Sequence, residues 1–167
     1  MLRHRGRPER LRLRRSAPPP PFRAVNVVDF HISIDIAAPA DVVWSVMEDA
    51  EHWHEWTPSV RSIRLLDTGP LRVGSRALVR QPKFPPGVWQ VTALDPGRSF
   101  TWRTGLPLMW VHAHHYVTPI EGGTRATLSL RFVGPLGRLM GRLTRDINNR
   151  YLEYEAAGLK KRSEKRS

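Results

Sequence analysis

The chain has no cysteine among its 167 residues. That excludes a disulfide framework, a thiol nucleophile and any thiolate-held metal or cluster. Nor does it contain an apolar run approaching the length needed to cross a bilayer. The arginine-rich beginning lacks the apolar segment of a secretory signal. A Gly-rich phosphate loop, a GxSxG elbow, an HExxH motif and a dinucleotide fingerprint are all missing. No two carboxylates are spaced as an acid/base couple. These absences lead us to expect a cytoplasmic protein.

What is plentiful is positive charge, with a net of +12. Its distribution matters more than its sum. Residues 1–24 hold eight Arg and one Glu, and residues 158–167 hold five Lys or Arg and one Glu, which leaves only +1 for residues 25–157. A near-neutral body with basic ends argues against specific nucleic-acid binding as the main task. Residues 1–24 read as a disordered basic tail, rich in Pro and Arg, ending in the stiff Pro18–Pro21 run. Residues 25–161 read as the folded domain, and 162–167 as a basic C-terminal tail.

Periodicity divides the domain. Phe30, Ile32, Ile34 and Ile36 alternate with His31, Ser33 and Asp35, the mark of a half-buried strand. Pro39 and Asp41 then open a short helix, and a second covers Ala50 to Glu55. Six further strands follow at Val60–Leu66, Ser75–Gln81, Val88–Leu94, Ser99–Thr104, Met109–Thr118 and Thr124–Val133. The breaks fall at Thr68-Gly69-Pro70, Pro82 with Pro85-Pro86-Gly87, Asp95-Pro96-Gly97, Gly105–Pro107 and Glu121-Gly122-Gly123. From Gly134-Pro135 a single long helix is predicted to about Leu159, with Leu136, Met140, Leu143, Ile147, Tyr151 and Tyr154 as its apolar stripe. An antiparallel meander with one apolar face must cover that face, and only the last helix is long enough.

Several phrases carry a family resemblance. They are Ile36-Ala37-Ala38-Pro39-Ala40-Asp41-Val42-Val43-Trp44, Trp53-His54-Glu55-Trp56-Thr57-Pro58, Val73-Gly74-Ser75 and Asp95-Pro96-Gly97-Arg98-Ser99-Phe100-Thr101-Trp102. Gly122-Gly123-Thr124 and Phe132-Val133-Gly134-Pro135-Leu136 complete the set. In this order they resemble the SRPBCC superfamily of START-like proteins, nearest its polyketide cyclase/dehydrase and lipid-transport group. The resemblance implies an α+β helix-grip fold: a seven-stranded curved antiparallel sheet in the order β-α-α-β6-α, wrapped round a long C-terminal helix. It does not fix a function, because the superfamily hosts carriers, receptors and enzymes.

The implied pocket lies between sheet and helix. Trp53 and Trp56 are expected to frame its entrance, with Phe100 and Trp102 facing inward. Strand alternation adds Ala77, Val79, Gln81, Val111, Ala113, His115, Leu128 and Leu130. The helix stripe adds Leu143, Ile147 and Tyr151. His115 is a polar residue on an apolar face, so it is the candidate general base, with Tyr151 or Arg103 polarising a carbonyl. The alternative for His115 is a core histidine bonded to the backbone. Glu155, one turn beyond Tyr151, reads as a cap or a partner of the basic tail. His112 and His114 have the i, i+2 spacing of a ligand pair, and His52 and His54 stand elsewhere, yet no carboxylate accompanies them. No metal and no cofactor is therefore expected. The expected function is binding of a small hydrophobic or aromatic ligand, lipid or polyketide-like. The alternative is a cyclase or dehydratase using the pocket histidine. No membrane insertion is expected, and the oligomeric state is left open.

Overall fold

The computed structural model describes residues 27–167, so the expected tail at residues 1–24 lies outside the described residues. Seven strands, β1 Val27–Ile36, β2 Ser62–Leu65, β3 Arg76–Gln81, β4 Phe84–Asp95, β5 Ser99–Leu106, β6 Met109–Ile120 and β7 Gly123–Val133, make one sheet. Helix α1 (Ala40–Glu48) and a 3-10 helix (Ala50–Glu55) follow β1; α2 (Pro135–Leu143) and α3 (Arg145–Arg166) follow β7. Every pairing is antiparallel, in the order β1-β7-β6-β5-β4-β3-β2. This is the helix-grip arrangement. Among the described residues no helix is long and apolar enough to cross a membrane.

The inner face follows the alternation in the sequence. Phe30 and Ile36 of β1, Ala77 and Val79 of β3, Phe100 and Trp102 of β5, and Ala126, Leu128 and Phe132 of β7 are all buried. On the outer face, Asp35 and Asp29 each sit directly opposite an arginine of β7 and pair with it, Arg125 at 2.7 Å and Arg131 at 2.8 Å.

Three expectations about element boundaries are corrected. Pro85-Pro86-Gly87 does not break the chain: β4 runs through it, and the turn is confined to Pro82 and Lys83. The prolines fit because the register shifts between Val79 and Gln81, a bulge at which no regular ladder donor is required of them. The final helix is also two helices, not one, broken at Thr144. In α2 the buried residues are Gly137 and Gly141, which lets the helix lie against Phe132 and Val28. Half of the expected stripe is therefore turned outward: Leu136, Leu143 and Tyr154 are exposed, Met140 and Ile147 are half-buried, and Tyr151 is buried. α3 instead buries Asn148, Tyr151, Leu152, Ala156, Leu159 and Ser163. It also runs on to Arg166, so residues 162–166, expected as a tail, are its last turns, fastened by Arg162 to Glu55 at 2.7 Å.

Candidate functional site: an apolar cavity with a polar inner end

The sheet and α3 do not close on each other completely. Between them lies a cavity of about 530 Å³, within the range of small-molecule sites. Nine of its lining residues were expected from the sequence: Trp53, Val79, Gln81, Trp102, Val111, Ala113, His115, Leu128 and Leu130; Tyr151 is a tenth. The remaining candidates are placed elsewhere. Ala77 is buried in the core beyond the cavity wall. Phe100 lies one layer behind it, stacked on His115 at 4.3 Å between ring centroids. Trp56 packs on Trp53 outside the wall. Leu143 and Ile147 miss the cavity because the glycine face of α2 and the break at Thr144 set the helical phase.

The orientation of the cavity is also corrected. Trp53 does not frame the entrance. It is buried, its indole Nε1 donates to the Met47 carbonyl at 3.0 Å, and it contacts Trp102 and His115 at the inner end. The exposed lining residues are Pro85, Pro86 and Val88 of β4 and Leu106 of β5, so the mouth lies by the β3–β4 and β5–β6 hairpins and α2.

His115 faces inward, as alternation predicts, and is buried. Its Nδ1 is buried with no hydrogen-bond partner, while a backbone hydrogen bond with Phe100 acts on the ring, in keeping with the expectation of a backbone-bonded core histidine. Burial, with a smaller push from His114, drives the imidazole down to about 3. His115 is thus neutral and weakly basic at physiological pH. Tyr151 accepts a hydrogen bond at its Oη from the Lys83 backbone N–H at 3.2 Å, and its ring meets Phe84 edge-on. The phenolic hydrogen remains available to a cavity ligand. Arg103 is corrected outright. It alternates with inward Trp102, so it lies on the outer face, stacked over Trp110 at 4.6 Å. His112 and His114 share that outer face, stacked on each other, with Thr101 Oγ1 2.9 Å from His114 Nδ1. Among the described residues no group of three candidate ligands could hold a metal.

Glu155 is the residue the sequence reading underrated. It points into the cavity and not toward the basic tail. Ser59 Oγ donates to its Oε1 at 3.0 Å, and Thr57 Oγ1 stands 2.8 Å from Ser59 Oγ. Thr57 and Ser59 are buried. Desolvation pushes the Glu155 carboxyl up to about 7, with the Ser59 bond opposing it. The signal was present in the sequence: Tyr151, Leu152, Glu155, Ala156 and Leu159 fall on one α3 face at three- and four-residue steps. At the other polar spot, Asn148 Nδ2 donates to Thr144 Oγ1 at 2.9 Å, and that hydroxyl donates to the Met140 carbonyl at 2.7 Å, stitching α3 to α2 along the cavity wall.

Known proteins can be set beside this geometry. A search of the curated proteins finds no match. Among solved structures, the chain is similar to the di-domain aromatase/cyclase StfQ from the steffimycin biosynthetic pathway, with a TM-score of 0.66 and 18% identity over 84% of this chain. It spans about half of that protein, 52% of its chain. It is also similar to the Zhui aromatase/cyclase from Streptomyces sp. R1128, with a TM-score of 0.64, 18% identity, and 84% and 95% of the two chains covered. The Thalictrum flavum norcoclaurine synthase, a point mutant in complex with a transition-state analogue, aligns with a TM-score of 0.63 at 18% identity, covering 84% and 97%. At these identities the likeness is one of fold. Residues 27–164 match the family described as polyketide cyclase / dehydrase and lipid transport, and the chain belongs to that family.

Proposed function

We propose that this protein binds a small, largely apolar molecule that carries one neutral oxygen function at its buried end. The observation that supports this reading is the pairing of an aliphatic and aromatic cavity with a single carboxyl at its inner end, partly protonated near pH 7. An apolar body is held by Trp102, Val111, Ala113 and Leu128 through burial of its surface. A carboxylic acid donates to a ketone, ester or phenol oxygen, whereas a ligand carboxylate would repel Glu155 once it ionises. The ligand class is thus a flat or folded molecule such as a polyketide-like ketone or phenol, in preference to a free fatty acid.

The test uses the tryptophans of the wall. Titration with a hydroxyanthraquinone should quench Trp53, Trp89 and Trp102 saturably, and anthracene, which lacks the oxygen, should bind about tenfold more weakly. The absence of any saturable change with both probes would overturn the reading.

A second reading, a cyclase or dehydratase, draws on the same carboxyl. A group that titrates near neutrality can both take and return a proton, whereas the imidazole first expected to do so is too weakly basic. In this reading the Glu155 carboxylate removes an α-proton from a folded polyketone. The enolate carbon then forms a bond to a distant carbonyl carbon, and the alkoxide takes the proton back from Glu155. Loss of water would follow. Incubation with a linear polyketone, followed by mass and ultraviolet absorbance, checks it. Turnover that survives Glu155→Gln at the wild-type rate would rule out this role.

A further inference from the structure

The mouth of the cavity is unusually apolar for a free surface. In α2, Leu136, Leu139 and Leu143 fall on one face at i, i+3 and i+7, and that face points away from the protein because Gly137 and Gly141 occupy the packed side. Leu139 is 53% exposed and Leu143 71%. The tip of the β5–β6 hairpin continues the patch. Leu106 is 61% exposed and Leu108 is 70% exposed, and the Leu136 N–H donates to the Leu108 carbonyl, so hairpin and helix are joined. Leu108 is held at φ 67°, the one non-glycine residue with positive φ among the described residues, a conformation that costs an L-residue energy. Scattered exposed leucines need no explanation, but a contiguous set around a cavity mouth does.

The remaining face of α2 carries Arg138 and Arg142, and α3 begins with Arg145. All three are exposed, and among the described residues none is in an ion pair; Asp146 is the neighbouring acid. β1 also enters here: Val27 is opposite Val133, and Val28 lies against Gly141.

We propose that the α2 and β5–β6 tip surface docks on an anionic lipid bilayer, placing the cavity mouth against the membrane. A short helix with leucines on one face and arginines beside them suits the interface of acyl chains and headgroups. A second copy of the chain fits less well, because a two-fold contact would set Arg138 and Arg142 of both copies against each other. The proposal concerns where the cavity opens, and it stands whether or not the ligand is the one named above.

The experiment is vesicle flotation of the full chain. Phosphatidylcholine vesicles containing about a third phosphatidylglycerol should carry it, and pure phosphatidylcholine should carry much less. Each cation near such a surface is worth about fivefold in partition, so Arg138→Glu with Arg142→Glu, which removes two cations and adds two anions, should lower binding by at least about 25-fold. Leu139→Glu with Leu143→Glu should lower it at least tenfold. Both sites are exposed, and the tryptophan titration described above confirms that the variants keep their cavity. Wild-type flotation by both double variants, with loss only on deleting residues 1–24, would overturn the proposal. So would a dimer in size-exclusion chromatography that Leu139→Glu breaks while the wild type ignores vesicles.

Discussion

At the scale of single residues, the cavity holds two titratable groups displaced in opposite directions. Glu155 is raised from 4.5 to about 7, so the folded state holds its proton more tightly than the unfolded chain does. Its stabilising contribution is full below pH 4.5 and is lost as pH rises toward 7. His115 is lowered from 6.5 to about 3, so the unfolded chain binds the extra proton. Its contribution is full above pH 6.5 and is lost as pH falls toward 3. Between about pH 4.5 and 6.5 the two slopes oppose each other. Glu155→Gln should therefore remove the loss on the alkaline side and stabilise the protein at pH 8 by up to about 3 kcal/mol, with little gain at pH 4. His115→Phe should stabilise by about 1 kcal/mol at pH 7, since it removes a buried Nδ1 without a partner and keeps the stack on Phe100. Urea midpoints at pH 4, 7 and 8 measure both. The inward direction of His115 was legible from strand alternation. The lack of a partner at its Nδ1 was not, because that depends on Phe100, Trp53 and Trp102 closing round it from other elements.

At the scale of elements, the strands were legible because a two-residue period survives any curvature of the sheet. Helical phase was not. The run from Leu136 to Tyr154 reads as one apolar stripe only if no glycine claims the packed side and no break intervenes. Gly137 and Gly141 reverse the side, and Thr144 resets the phase, so of that stripe only Met140 and Tyr151 reach the cavity. The glycines themselves can be told apart. At Gly137 an added Cβ would meet Phe132 at 3.4 Å and Met109 at 3.6 Å, ordinary contact distances. Gly137→Ala should raise stability by about 0.5–1 kcal/mol through helix propensity. At Gly158 an added Cβ would lie 2.1 Å from the Trp56 carbonyl oxygen, a backbone atom that cannot turn aside. Gly158→Ala should cost about 2 kcal/mol or more, despite the same gain in propensity. Thermal melts of the two variants should shift in opposite directions.

At the scale of the whole molecule, the organising feature is that polarity is concentrated and separated. The outer face carries the Asp–Arg pairs of β1 and β7, which are exposed and, screened by solvent, contribute little to stability. The inner end of the cavity carries Glu155, Ser59 and Thr57. The mouth carries leucines and arginines that are in no ion pair among the described residues. A ligand that enters by the mouth thus meets apolar wall first and its hydrogen-bonding partner last. Replacing Ala113, midway along the wall, with Trp should fill the cavity. Ligand titration should then show loss of binding, while vesicle flotation is retained.

The pairing of the first strand with the last bears on how the chain reaches this state. β1 is made before every other strand of the sheet, yet among the described residues its only sheet partner is β7, with Val27 opposite Val133 and Ile36 opposite Thr124. The meander from β2 to β6 can zip from neighbour to neighbour, with short loops to close. β1 must wait until the residues of β7 have been made, and such distant pairing slows folding. In pulse-labelled hydrogen exchange, the amides of β1 should gain protection after those of β5 and β6. Until then Phe30, Ile32, Ile34 and Ile36 form an unpaired apolar edge, the segment of this chain most exposed to aggregation during synthesis.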